Sequence, residues 1–170
     1  GKVNLKGSRL VTRDEFRAAM GNFATGVTVI TTTDDLGQPH AMTANSLTSV
    51  CLEPPVILLC VAHGTHTYGF VEKSGLFGVN ILDRDQEDVG AYFAKRPEDR
   101  TGDVAVSYSE GDNGIPTLDN SMVFMGCRVV GSHVYGDHTV YMAEVKEIRE
   151  NNSSVPLLFF RSRWYHPAPE

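Results

Sequence analysis

The sequence predicts a mainly β protein, an antiparallel barrel with a few short helices at its periphery. Three observations carry that prediction. Roughly seven short runs are rich in Val, Ile, Thr and aromatic residues, as half-buried strands are. Only three segments keep helical spacing, and they do not alternate with the strands as a parallel doubly wound sheet requires. Turn chemistry, Gly together with Asp, Asn or Pro, separates the runs.

With 170 residues the chain suits one domain with a real core and is too short for two ordinary ones. We read 1–170 as a single domain whose residues 1–11 form a flexible arm. The net charge of −6, with no run of Lys or Arg, argues against a nucleic-acid partner. Apolar stretches fall well short of the ~20 residues that cross a bilayer, and the opening GKVNLKGSRL lacks the apolar segment of a secretory signal. The expectation is a cytoplasmic protein without membrane contact. Cys51, Cys60 and Cys127 are an odd set with no CxxC spacing, so buried free thiols are expected. Asn151, Asn152 and Ser153 match a glycosylation pattern but, without secretion, read as a polar turn.

In chain order, Thr12 to Glu15 form a capping box, and Phe16, Ala19, Met20 and Phe23 follow at helical spacing. That apolar face is expected to lie on a sheet or across one end of the barrel, with Gly26 ending the helix. Residues 27–33 are a β-branched strand, turned by Asp34, Asp35 and Gly37. The stretch 41–51 is dense in small hydroxyl and amide groups and carries no charge, which is unusual between two strands. Small side chains let a ligand approach the backbone, while Thr43, Asn45, Ser46, Thr48 and Ser49 offer donors and acceptors. Such chemistry suits a polar heterocycle with a phosphate tail.

Pro54 and Pro55 turn the chain into 56–61, a continuous apolar run read as a buried strand. Residues 65–74 form a short helix that feeds the strand 76–82. Asp85 is expected to cap a third helix carrying Val89 and Phe93, weakened by Gly90. Residues 95–103 are a charged surface loop, 104–108 a strand and 111–116 a turn. Two long strands, 122–130 and 139–148, are joined through 131–138, and 155–165 closes the chain.

Several chemistries find no support. There is no GxGxxG, GxxxxGK[ST] or GxSxG. His63 and His66 lack a third ligand nearby and read as two loop histidines, so no metal is expected. Gly136-Asp137-His138 remains, just before a long strand; alone it is turn chemistry beside which the histidine can be incidental.

Taken together, five motifs stand in a telling order: Gly26 to Thr32, Met42-Thr43-Ala44-Asn45-Ser46-x-Thr48-Ser49-Val50, Pro54-Pro55 before an apolar strand, Gly78-Val79-Asn80-Ile81-Leu82, and Gly136-Asp137-His138. The ordered set, spanning 16–165, resembles the short-chain flavin reductase family, the reductase components of two-component flavin-dependent monooxygenases. The resemblance implies an FMN-binding split barrel, Greek-key in topology, that forms a homodimer with the flavin near the subunit interface. It implies that Thr43, Ala44, Asn45 and Ser46 line the isoalloxazine, and that Ser49, Val50 and Cys51 hold the ribityl phosphate, Cys51 through its backbone. Asn80 would face the flavin or serve the structure. Gly136, Asp137 and His138 match the nicotinamide-side motif, with His138 binding or orienting the nicotinamide. Residues 160–165 resemble a terminal Arg-Gly-x-Tyr element from which Ser162 and Arg163 depart, with Tyr165 as a cover over the nicotinamide.

The activity implied is hydride transfer from NADH or NADPH to FMN or FAD, with reduced flavin passed to a monooxygenase component. The alternatives are a split-barrel flavoprotein oxidase that keeps its flavin, and a flavin-binding or heme-binding module without turnover.

Overall fold

The computed structural model describes residues 7–152 and 155–168. The expected arm and the polar turn at 151–153 therefore lie partly outside the described residues; within the arm, Arg9 is ion-paired to Glu15. The elements run α1 (Arg13–Met20), β1 (Thr25–Gly26), β2 (Thr28–Thr33), β3 (Pro39–Ala44), β4 (Leu47–Leu52), β5 (Pro55–Ala62), α2 (His66–Ser74), β6 (Leu76–Ile81), α3 (Glu87–Ala94), β7 (Tyr108–Glu110), β8 (Pro116–Leu118), β9 (Val123–Tyr135), β10 (His138–Glu150), β11 (Leu158–Phe160) and β12 (Arg163–Tyr165).

Seven strands form the main sheet in the order β3-β2-β6-β9-β10-β5-β4, with antiparallel neighbours throughout. Its outermost strands, β3 and β4, are consecutive in the chain and joined by Asn45 and Ser46 alone. Laid flat, six strand spacings would separate them by about 29 Å, whereas three Cα steps span at most about 11 Å. The sheet must therefore curl into a barrel, and the split lies where β3 passes into β4. Ser46 pins the junction: its carbonyl accepts from Cys60 N at 3.2 Å and its hydroxyl donates to Cys60 O at 2.8 Å.

The expected barrel thus forms, with differences that have physical reasons. The small-residue stretch 41–51 is itself strand, because it supplies both edges of the split. Residues 131–138 are not a loop: β9 and β10 run on to a two-residue turn at Gly136-Asp137. Gly136 has φ +57° while Asp137 stays out of the left-handed region, which fits a type II′ turn. The third helix is preceded by a short 3₁₀ turn capped by Asp83 with Gln86, in place of Asp85. The strand expected at 104–108 is reduced to β7, which starts at Tyr108 and pairs with β8.

Inside the barrel pack Ile30, Ile57, Leu59, Val61, Phe77, Val79, Cys127, Tyr141 and Ala143, closed by Val71 of α2. The outer face of β2 and β3 is covered by a second cluster, in which Val27, Val29 and Ala41 meet Val89 and Phe93 of α3, Leu118 of β8 and Leu157. The strap 104–118 is fastened by Asn80, which is 0% exposed. Its Nδ2 donates to Val29 O at 2.9 Å and Thr31 Oγ1 at 3.1 Å, and its Oδ1 accepts from Leu118 N at 2.9 Å.

The capping box of α1 forms as expected. Among the described residues its apolar face, however, is left uncovered: α1 buries no residue, and Phe16, Met20 and Phe23 are 62%, 52% and 71% exposed. Of the three free thiols, Cys127 is buried and pushed up to about 12 by that burial, Cys60 is half-buried with its pKa raised by burial, and Cys51 is exposed, because β4 is an edge strand. No described helix is long and apolar enough to cross a membrane.

Candidate active site

Among the hollows at the surface, two differ sharply in charge. The larger, about 930 Å³, lies under the strap and is lined by Asp83, Asp85 and Asp119. Asp119 is already spent on the hydroxyls of Ser107 and Ser109, both at 2.7 Å, and the one cation in the wall, Arg149, is ion-paired to Glu147 at 2.6 Å. An acidic wall of this kind suits no phosphate-bearing ligand. It also sits on the order of 35 Å along β10 from His138.

The second hollow, about 630 Å³, is bounded by Asn45, His138, the α1 residues Arg13, Phe16, Arg17 and Met20, Phe23, Phe159, Arg161 and Ser162. It joins two regions that are far apart in sequence. His138 is the first residue of β10 and stands opposite Ala62 of β5. Two residues back along β5, Cys60 is held from the other side by Ser46. Asn45 and His138 therefore flank β5 at a separation on the order of 10 Å.

Each side chain is set by a local cause. The type II′ turn delivers His138 to the barrel rim, and Asp137 O accepts from His63 N at 2.9 Å. His138 Nδ1 lies 2.8 Å from Asp137 Oδ1. A carboxylate only accepts, so Nδ1 carries the proton and Nε2 has no partner among the described residues. The hydrogen bond from His138, then a backbone bond of its own, hold the Asp137 carboxyl below the usual carboxylate range.

On the other flank, Asn45 Nδ2 donates to Thr25 Oγ1 at 3.2 Å, leaving its Oδ1 unbonded. Thr43 donates its hydroxyl to Gly90 O at 2.6 Å and Ser46 to Cys60 O, so both keep only lone pairs for a ligand. Ser49, Val50 and Cys51 lie exposed on β4, whose outer edge has no strand partner. Gly136 is exposed in the turn.

Of the predicted residues, Asn45 and His138 line this hollow, whereas Thr43, Ala44, Ser46, Ser49, Val50, Cys51, Gly136 and Asp137 lie outside its lining, and Asn80 and Tyr165 lie elsewhere. Asn80 is sealed in the barrel wall with both amide hydrogens in use, and it lines neither hollow. Tyr165 rests beside Phe160, ring centroids 6.3 Å apart, and does not line the hollow either. Its hairpin turns at Arg161 and Ser162, both left-handed with φ +49° and +62°, as a two-residue type I′ turn requires. His63 bonds Thr139 Oγ1 at 2.8 Å, while His66 approaches Glu98 at 4.0 Å.

Residues that the sequence reading missed are Arg13, Arg17, Thr25, Phe159 and Arg161. Arg13 and Arg17 stand four apart on the same face of α1, a spacing legible in the sequence. Thr25 and Phe159 are paired across β1 and β11, at the two ends of the chain, and nothing local announces it.

A flavin fits this region on the evidence of the chain itself. Ala44, Asn45 and Ser46 leave the split uncrowded, Asn45 Oδ1 is unbonded, and the edge of β4 offers backbone groups with no strand partner.

Comparison with known proteins identifies the family. The family model for the flavin reductase like domain matches residues 20–168. A flavin reductase (NADPH) of Lentzea aerocolonigenes is 41% identical over 151 residues, covering 88% of this chain and 86% of the relative. The reductase subunit HsaB of a flavin-dependent monooxygenase from Rhodococcus jostii is 34% identical over 155 residues, covering 91% and 78%. The solved structure of the flavin reductase PheA2 superposes with a TM-score of 0.85 at 36% identity, covering 94% of this chain and all of that one. A match across most of the chain in sequence and fold alike means that this protein belongs to the flavin reductase like family.

Proposed function

We propose that the protein is an NAD(P)H-dependent flavin reductase that binds FMN or FAD along the split between β3 and β4, accepts NADH or NADPH at His138, and supplies reduced flavin to a flavin-dependent monooxygenase component. The observation that carries this reading is the single hollow bounded by Asn45 on one flank and His138 on the other. When both nucleotides are bound, a hydride leaves the nicotinamide C4 for flavin N5 and a solvent proton completes the reduction, so the protein's task is to stack and orient two rings.

The roles follow from the bonds each residue has left. Ala44 and Ser46 keep the floor of the split small, and Asn45 Oδ1 accepts from a ring N–H. Thr43 and Ser46, their hydroxyl protons committed, present lone pairs only. Ser49, Val50 and Cys51 meet the phosphate tail through backbone groups and the Ser49 hydroxyl. His138 Nε2 accepts from the nicotinamide carboxamide, while Asp137 holds the ring tautomer and Gly136 makes the turn that aims it. Phe16, Phe23 and Phe159 bring apolar surface that limits water.

An exposed edge strand for the tail favours a flavin that comes and goes, as supply to a separate oxygenase needs. The uncovered face of α1 supports a homodimer, which sedimentation would read directly, and a cytoplasmic setting agrees with three cysteines left as thiols. The relative from Rhodococcus jostii is itself named as a monooxygenase's reductase subunit. In the test, oxidation of NAD(P)H should depend hyperbolically on added free flavin, as on a second substrate. A protein that keeps a coloured cofactor through gel filtration and turns over without added flavin would be the oxidase, and one that binds flavin without turnover would be a module.

A further inference from the structure

The wall of the His138 hollow departs from the acidic balance of the chain. Lys and Arg number 15 against 21 Asp and Glu, yet this wall holds Arg13, Arg17 and Arg161 and no carboxylate. Arg161 is tethered, its Nε and Nη2 both donating to Asn22 Oδ1 at 2.8 and 2.6 Å. Arg17 has only Asp14, 4.0 Å away with both side chains well exposed. Arg13 makes no hydrogen bond or ion pair among the described residues; its charge is felt at Asp137 as a small stabilisation of that carboxylate.

Helix physics disfavours this placement. Arg13 is the first residue of α1, at the positive end of the helix dipole. Arg13 and Arg17 are four apart, where like charges repel. Asp14 and Asp137, both exposed, offset only part of that cost, and α1 buries none of its residues. Two exposed guanidiniums on one face of a helix, beside the aromatic rings of Phe16, Phe23 and Phe159, are a place for an anion carried on a flat ring system.

We propose that Arg13 and Arg17 read the 2′-phosphate of the reduced nicotinamide nucleotide, so that this protein uses NADPH in preference to NADH. The inference rests on the reductase reading above. NADH and NADPH share the nicotinamide, both riboses and the pyrophosphate, and differ by one phosphate dianion. His138 takes the shared nicotinamide, and Arg161, half committed to Asn22, suits the shared pyrophosphate. Arg13, and Arg17 with its single exposed contact to Asp14, remain for the group that differs, and a planar fork matches phosphate oxygens two at a time. Selectivity is a difference between two affinities, so it resides in the groups that only one nucleotide engages.

The test compares initial rates of flavin reduction with NADPH and NADH for the wild type, R13Q/R17Q and R17K, with sedimentation of each. Because α1 is exposed, these variants should fold. The wild type should favour NADPH by about tenfold or more in kcat/KM, and R13Q/R17Q should lower that ratio by roughly twentyfold, mainly through KM for NADPH. R17K should keep part of the preference. By calorimetry, 2′-AMP should bind the wild type more tightly than 5′-AMP, and the double variant should lose the difference.

A wild-type ratio near one, or an equal fall for both nucleotides in the double variant, would overturn the proposal, the second result assigning the arginines to the pyrophosphate or the flavin. Loss of self-association in R13Q/R17Q without a change in the ratio would make them interface residues and overturn it too. If the wild type reduced flavin with neither nucleotide, the reductase reading would fall, while the 2′-AMP comparison would still decide what the arginines bind.

Discussion

Replacing Asn80 with alanine separates a structural role from a flavin-binding one. The side chain makes three hydrogen bonds at a site with no exposure, and alanine cannot replace any of them. Leu118 N–H, itself in a residue only 2% exposed, would lose its acceptor inside the protein. An orphaned buried donor costs about 1–3 kcal/mol, and the void left by the amide adds roughly 1 kcal/mol. The other two lost bonds end on Val29 O and Thr31 Oγ1, which keep other partners, Thr31 through its donation to Pro116 O at 2.5 Å. The total is about 2–4 kcal/mol. For a chain of this size each kcal/mol moves Tm by about 2–4 °C, so N80A should melt about 4–16 °C lower. Thermal unfolding followed by circular dichroism reads that shift, and flavin titration well below the transition reads the site. Flavin affinity should stay within about threefold of wild type, since a change of one hydrogen-bond energy would exceed that. An unmoved Tm together with a tenfold or greater loss of flavin affinity would refute the fastener role and return Asn80 to the flavin.

Two further outcomes follow from the same geometry. His138→Ala should slow NAD(P)H oxidation or raise the nucleotide KM by about tenfold, the value of one oriented hydrogen bond, while flavin affinity stays near normal; equal loss of flavin affinity would move His138 to the flavin side. His40 is lowered to about 4 by burial first, then by the charges of Arg100 and His66. Its folded pKa lies below the unfolded value of 6.5, so the unfolded state binds the extra proton and stability falls as pH drops from 6.5 toward 4. After discounting for the exposed part of the ring, the loss is on the order of 1–2 kcal/mol. Urea midpoints across that range should show His40→Gln losing less stability than wild type, and parallel slopes would contradict the assignment.

Local chemistry made much of the fold legible. The capping box at Thr12 and Glu15, the β-branched run of β2 and the buried run of β5 are short-range signals, and each forms where the sequence places it. What escaped was decided at long range. The stretch 41–51 has weak strand propensity, yet it is strand because β2 and β5 hold it on either side of the split. The turn of the β9 and β10 hairpin was placed too broadly, because Gly131 is also a turn residue; the pairing of Tyr135 with His138 selects Gly136-Asp137. Asn80 sits in a motif whose pattern cannot distinguish a strap fastener from a ligand contact; only the position of Leu118 reveals which bonds it makes. The approach of Asn45 to His138 was implied by family resemblance alone, since about ninety residues and the strands β4 to β9 intervene in the chain. The α1 face was read correctly as apolar, but it is not covered by the described residues.

The most direct test of the central claim is anaerobic mixing of the protein with NADPH or NADH and, separately, with FMN, FAD and riboflavin, following loss of the oxidised flavin's absorbance. The account predicts catalytic bleaching of free flavin, many equivalents per protein, with the reduced flavin recovered in solution. Absence of bleaching with every pair, despite measurable flavin binding, would contradict it: the barrel and the pocket would stand without the reaction assigned to them.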